Sequence, residues 1–296
     1  MVELGAADAS APPQFVAVGQ VSLDINVSAS GEISAPTPGG AVAYAARTAT
    51  GLGLNAGIIT AAGDDYPFSE VTPCVQRRVL DDGPTTTFRN VYSANGRQQT
   101  LLMHGGHITE ADVPAAWRRP DLLLIGPLSD ELPMGCADWF SAGLVCAVPQ
   151  GWQRRWDSRG AVSVVTEPPK PSARPWDVCV VSEAEAPLAV ESHWLDVASV
   201  LVVTRGSMGA RIRCDGQWHD IPAFPAMEVD PTGAGDVWAA AFLVRYAETM
   251  DPVAAGLFAS CAAAISVEAV GLAGVPSRQQ IEQRLAGGAG HLRAGG

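Results

Sequence analysis

The residues with the most chemistry to offer lie in one run, Asp230-Pro231-Thr232-Gly233-Ala234-Gly235-Asp236, which opens into the Ala-rich stretch Val237-Trp238-Ala239-Ala240-Ala241-Phe242-Leu243. A Gly-Ala-Gly turn feeding a helix leaves the first backbone N–H groups without internal partners, and the helix dipole adds about half a positive charge there. Small side chains let an anion approach those donors, so Gly233, Ala234 and Gly235 form a backbone anion cradle that needs no lysine. Asp236 falls in the first helical turn, where its carboxylate can take a proton from a hydroxyl attacking a phosphorus held beside it. Read alone, the same residues also fit a capped helix after a common turn.

Other constellations are incomplete. His104-Gly105-Gly106-His107 offers two imidazoles and no third ligand at metal spacing. Gly51, Gly53 and Gly57 mimic a dinucleotide fingerprint, but they follow a helical stretch and precede a strand, the reverse of the Rossmann order. The chain has one lysine, Lys170 in Glu-Pro-Pro-Lys-Pro, which excludes a Walker A loop and the strand lysine of protein kinases.

The 296 residues carry 19 Lys+Arg against 31 Asp+Glu, a net charge of −12. Without clustered cations, nucleic acid is not an expected partner. No stretch reaches the ~18 apolar residues of a membrane span, and Met1-Val2-Glu3-Leu4-Gly5 lacks the basic start of a signal peptide. Six cysteines without Cys-x-x-Cys spacing read as reduced core residues. A cytoplasmic protein with no membrane association is expected.

The elements that must position the Asp236 run alternate. Phe15–Gly19, Gly57–Gly63, Asp121–Pro127, Gly143–Pro149, Val178–Ser182 and Ser199–Gly206 are apolar on both faces, the pattern of buried parallel strands. Ala41–Leu52 and Val71–Val79 are predicted helices between them, which makes the chain α/β. Thr85–Tyr92 and Arg97–Met103 flank Asn95-Gly96, a hairpin signal. This polar hairpin is a candidate lid or dimer element, with a plain edge hairpin as the equal alternative. Asp251-Pro252 opens a helix to about Val267, and Ser277-x-x-Gln280 caps a last one ending near Gly287. Pro149-Gln150-Gly151-Trp152 follows a strand end, where α/β proteins place ligands. Gln150 could contact a bound molecule there or sit in an ordinary turn.

The extended string around Asp236 resembles the signature of the ribokinase-like (PfkB) carbohydrate kinases, Asp-Thr-x-Gly-Ala-Gly-Asp. The resemblance runs from about Phe15 to Leu285. Phe15-Val16-Ala17-Val18-Gly19 followed by Asp24 looks like the family's first strand and substrate-binding aspartate. Pro38-Gly39-Gly40 looks like its second glycine motif, at the substrate and lid. Gly51-Leu52-Gly53-Leu54 and Gly63-Asp64-Asp65 keep the familiar spacing. Val202-Val203-Thr204-Arg205-Gly206-Ser207-Met208-Gly209 is similar to the nucleotide-side strand and turn, and Phe258-Ala259-Ser260-Cys261-Ala262-Ala263 to the helix beside the adenine. Gln150, the Thr-Thr-Thr-Phe-Arg hairpin and Gly40-Ala41-Val42-Ala43-Tyr44 lean toward the inositol-kinase-like branch.

Two departures stand out. The Asn that often follows the Gly-Gly pair is absent from Gly40-Ala41-Val42-Ala43-Tyr44, which argues against ribose. The Asn-x-x-Glu motif appears as Ser182-Glu183-Ala184-Glu185, keeping Glu185 and replacing Asn with Ser; Ser260 is a similar replacement near the nucleotide.

The resemblance implies a three-layer α/β/α ribokinase-like fold with a mainly parallel central sheet and a small β lid. It spans residues 14–286, with the lid at about 20–38 and 84–104 and flexible tails at 1–13 and 287–296. It implies ATP-dependent phosphorylation of a hydroxyl on a small polyhydroxylated molecule, a sugar or cyclitol. Asp236 is then the general base and Gly233-Ala234-Gly235 the anion hole. Asp24, Gly39, Gly40, Arg89 and Gln150 bind substrate, and Thr204, Arg205, Gly206, Gly209 and Ser260 bind nucleotide. Glu185 acts on hydrated Mg²⁺, a monovalent cation is allowed near Asp230 and Thr232, and a homodimer through the lid is allowed. A nucleoside acceptor, using Phe88 and Tyr92, and a catalytically idle binding protein of the same fold are the alternatives. An NAD-dependent oxidoreductase has the wrong glycine context.

Overall fold

The computed structural model describes residues 11–80, 83–93, 96–169, 175–186 and 194–288. The chain runs through β1 (Phe15–Val18), β2 (Ser22–Val27) and β3 (Thr37–Gly39), then helix α1 (Ala41–Gly51) and β4 (Ala56–Ala61). A four-residue helix, α2 (Phe68–Val71), and strand β5 (Gln76–Leu80) precede β6 (Thr86–Ser93) and β7 (Gly96–Met103). Next come β8 (Leu122–Ile125), β9 (Leu144–Ala147), a short helix α3 (Gln150–Gln153), and the hairpin β10 (Arg154–Trp156) and β11 (Val162–Val164). Strands β12 (Trp176–Ser182), β13 (Ala198–Thr204), β14 (Ala210–Cys214) and β15 (Gln217–Ile221) complete the sheets. Helices α4 (Ala234–Thr249), α5 (Pro252–Ser266) and α6 (Arg278–Gly288) follow.

The central sheet has the order β15-β14-β13-β12-β9-β8-β1-β4-β5. From β13 to β5 every pairing is parallel, and β14 and β15 add an antiparallel edge. The reason is visible in the side chains. Phe15 and Ala17 of β1, Leu122 and Leu124 of β8, and Val178 and Val180 of β12 join one core, with α1, α4 and α5. Their alternate neighbours, Val16, Val18, Leu123, Ile125, Cys179 and Val181, join a second core with Trp117, Trp152, Trp176 and Trp194. A strand buried on both faces has no polar side to show, hence the continuous apolar runs. Among the described residues the second layer is built largely from short 3-10 turns at Glu110–Asp112, Ala115–Trp117 and Cys136–Trp139.

A separate four-stranded sheet, β3-β2-β6-β7, forms the lid. The β6–β7 hairpin is antiparallel as expected, pairing Tyr92 with Arg97 and Asn90 with Gln99; Asn95 of its turn lies outside the described residues, as do the tail residues 1–10 and 289–296. The predicted caps form: Asp251 Oδ1 accepts the N–H groups of Val253 and Ala254, and Gln280 Oε1 accepts that of Ser277.

One predicted element is wrong. Val71–Val79 is not a helix; the helix stops at Val71, and residues 76–80 form edge strand β5 beside β4. Pro73 lacks the N–H that a helix needs, and Arg77 and Arg78 suit an exposed edge. No helix among the described residues is long and apolar enough to cross a membrane.

Candidate active site

A cavity of about 790 Å³ lies over the C-terminal ends of the parallel strands, under the lid sheet. Leu128, Val148, Gln150, Ser182 and Thr204, each at or just after a strand end, form its floor. Side chains diverge there as the strands stop pairing, which is why open α/β sheets bind ligands at this edge.

The Gly-Ala-Gly turn opens onto this cavity. Gly233 is the residue before α4, with φ 76° and ψ 0°. The N–H of Val237 closes the first helical turn on its carbonyl at 2.9 Å. Ala234 N–H is directed to the Pro231 carbonyl at 3.2 Å, so it is not an open donor of the cradle. The N–H groups of Gly233, Gly235 and Asp236 have no backbone partner among the described residues, which leaves them as the candidate donors of a cradle. A Cβ on Gly235 would meet nothing within 4 Å, so no protein atom crowds the turn on that side. Asp230 braces the turn from behind, its two carboxylate oxygens accepting the N–H groups of Thr232 and Gly271 at 2.9 Å each.

Asp236 is on the cavity wall in the first turn of α4. Burial pushes its carboxyl up to about 7, the charge of Glu185 adds to that, and Arg154 opposes it. A carboxyl poised near neutrality suits a general base.

At the end of the cavity nearest the lid sheet, Asp24 on β2 accepts hydrogen bonds from Asn90 Nδ2 at 3.1 Å and Ser22 Oγ at 3.0 Å. Burial holds its carboxyl above the usual range, against the pull of those two donors. Gly39 backs it: a Cβ there would lie 2.7 Å from Asp24 Oδ2. Gly40 lines the cavity at φ 102°. The lid contributes Phe88, Asn90 and Tyr92 from β6 and Arg97 and Gln99 from β7. Side chains alternate along a strand, so Arg89, between Phe88 and Asn90, is exposed on the other face and does not line the cavity.

Between the two ends, Arg154 is 6 % exposed and places its guanidinium 5.0 Å from the Phe88 ring centroid. Its Nη1 donates to the Leu128 carbonyl at 2.9 Å and its Nη2 to Gln150 Oε1 at 2.5 Å. Gln150 Nε2 donates onward to Glu185 Oε1 at 3.1 Å, and Glu185 Oε2 accepts Ser182 N–H at 2.8 Å.

At the donor end, Thr204, Gly206, Ser207 and Gly209 meet Phe224, Pro225, Ala263, Ala264, Val267 and Ser260. Ser260 Oγ accepts the Trp238 indole N–H at 3.2 Å. Arg205, expected among the nucleotide contacts, does not line this wall; its Nη2 pairs with Asp220 Oδ1 at 2.9 Å on β15. His104 pairs with Asp130 at 2.7 Å, and no group of three metal-ligating side chains occurs among the described residues.

Sequence reasoning missed Tyr44, Asn90, Arg97, Gln99 and Arg154 as cavity residues. The signals were present. Arg154 is four residues after Gln150, and Asn90 shares the strand face of Phe88 and Tyr92.

Residues 177–278 match the family described as pfkB family carbohydrate kinase. The ribokinase of Bacillus subtilis (strain 168) is 43% identical over 86 residues, 29% of this chain and 29% of that protein. That match spans less than a third of the ribokinase's own length. Inositol 3-kinase of Zea mays is 27% identical over 262 residues, 82% of this chain and 69% of the other. A solved pyrophosphate-dependent kinase in the ribokinase family, complexed with a pyrophosphate analog and myo-inositol, has a TM-score of 0.74. It is 22% identical, with 91% of this chain and 99% of that chain covered. Over residues 177–278 the chain thus resembles the pfkB carbohydrate kinases, and its fold as a whole is that of the ribokinase-family structures.

Proposed function

We propose that the protein transfers the γ-phosphoryl group of ATP to a hydroxyl of a sugar or cyclitol. One observation carries this reading: Asp236 and the open N–H groups of Gly233 and Gly235 face one cavity, with a polar acceptor end and a largely apolar donor end.

The acceptor end offers Asp24, Asn90, Gln99, Arg97 and Arg154, side chains suited to a ring of hydroxyls. The structure of Phe88 favours a polyol over a nucleoside, since one ring face is already covered by Arg154. Myo-inositol, the compound in the complex of the related kinase, has the matching chemistry. The donor end favours ATP over bare pyrophosphate. Phe224, Pro225, Ala263 and Val267 suit a planar base, and Arg205 is turned to Asp220.

Asp236 accepts the proton as the acceptor oxygen bonds to the γ-phosphorus and the bond to the β,γ-bridging oxygen breaks, releasing ADP, while the open amides of the turn stabilise the charge on the transferring oxygens. Glu185 fits an outer-shell role toward Mg²⁺, because both its oxygens already hold hydrogen bonds from Gln150 and Ser182. When bound, Mg²⁺ neutralises phosphate charge. The lid residues cover the site and exclude water, the competing acceptor.

The test is a panel of myo-inositol, ribose, fructose and several nucleosides, each with ATP or pyrophosphate, read by phosphorylated product. Transfer from ATP to a polyol is expected. Product only from nucleosides, only from pyrophosphate, or from none would each overturn part or all of the reading.

A further inference from the structure

Gln150 is a neutral side chain between two charges. Its amide oxygen accepts from Arg154 and its amide nitrogen donates to Glu185. A neutral amide serves both partners, whereas a carboxylate cannot donate to Glu185 and an ammonium cannot accept from Arg154. The two partners are themselves anchored, Arg154 by the Leu128 carbonyl and the Phe88 ring, Glu185 by the Ser182 N–H. The bridge thus runs from α3 across the floor of the cavity, from the residue under the lid to the one at the end of β12.

We propose that Gln150 is a positioning residue for phosphoryl transfer rather than a contact to the acceptor: its amide fixes Arg154 and Glu185 relative to each other within the cavity they share with Asp236. Building on the kinase reading, this assigns the residue a role in the chemical step. Arg154 favours the ionised form of Asp236 and Glu185 disfavours it, so their placement sets the balance at the base. Among the described residues the Tyr44 phenol from α1 also lies near Asp236, and burial keeps it neutral.

The decisive variant is Gln150→Glu, nearly isosteric and one negative charge richer. It keeps an acceptor for Arg154, draws off part of that cation's field, and turns a donor to Glu185 into a repulsion. Asp236 should become harder to ionise. Its titration can be followed by carboxylate-detected NMR on ¹³C-aspartate-labelled protein, with Asp236→Asn giving the assignment. The expected result is an upward move of the Asp236 midpoint by about one pH unit, roughly tenfold in the ionised fraction at fixed pH. The acid limb of kcat should move with it, while acceptor KM stays within about threefold. Gln150→Met, which removes both bonds without adding charge, should lower kcat by about 10–100-fold with the same small change in acceptor KM. An unmoved Asp236 midpoint in Gln150→Glu overturns the proposal. So does a tenfold rise in acceptor KM with kcat kept in Gln150→Met, the mark of a direct contact. A wild-type protein that transfers no phosphoryl group refutes the kinase reading instead, and leaves the NMR titration to decide the bridge on its own.

Discussion

Tyr44 lies directly against Gly233: a Cβ at residue 233 would sit 2.4 Å from the Tyr44 ring carbons Cε1 and Cζ. The anion turn therefore rests on an aromatic ring from α1, and its geometry depends on there being no side chain between them. Gly233 also holds φ 76°, a conformation that costs an L-residue about 1–2 kcal/mol. Gly233→Ala is expected to lower Tm and to reduce kcat by at least about 100-fold, the loss seen when one oxyanion donor is misplaced. Stopped assays and a thermal melt check both.

The hydroxyl of the same tyrosine has no hydrogen-bond partner among the described residues, although the residue is 2 % exposed. Removing an unsatisfied buried polar group is neutral or favourable. Tyr44→Phe should leave Tm unchanged or raised, whereas Tyr44→Ala, which takes away the ring beneath Gly233, should lower it.

Asp236→Asn should reduce turnover by roughly 10²–10⁴-fold, as expected for loss of a general base. Wild-type kcat should rise with pH through about 7 as Asp236 ionises. Stability carries the opposite sign. The folded protein holds this proton more tightly than the unfolded chain, so ionisation destabilises the fold as pH climbs from the ordinary carboxylate range past 7. Asp236→Asn should therefore melt higher than wild type at pH 8, with the difference shrinking toward pH 4.

Asn90 is 3 % exposed and donates to both Asp24 and Asn26. Asn90→Leu strips Asp24 of a donor that holds its carboxyl down. Acceptor KM should rise by about tenfold, worth one lost hydrogen bond to a charged group, with the KM for ATP unchanged.

Arg89 and Arg205 are on neither end of the cavity. Arg89→Ala should leave acceptor KM unchanged, and Arg205→Ala should leave the KM for ATP unchanged.

Much of this was legible in the residues. Strands such as Leu122–Ile125 announce themselves because burial on both faces leaves no polar position, and the Asp230–Asp236 string states its chemistry in backbone terms that need no partner. What escaped was whatever depends on chain segments far apart. Strand β5 is polar and half exposed, so its pairing with β4 leaves no period in the sequence. Arg154 has no motif of its own to mark it, and only the fold places Phe88 beside it. The pairing of Arg205 with Asp220 likewise depends on β15, which the sequence does not place beside it.

The most direct measurement is single-turnover transfer of label from γ-labelled ATP to a polyol, comparing wild type with Asp236→Asn at matched donor occupancy. Label should reach a hydroxyl of a sugar or cyclitol in the wild type, and at least about 100-fold more slowly in the variant, while ATP binds both. Equal transfer rates in the two proteins would contradict the role of Asp236 and with it the account built around the turn.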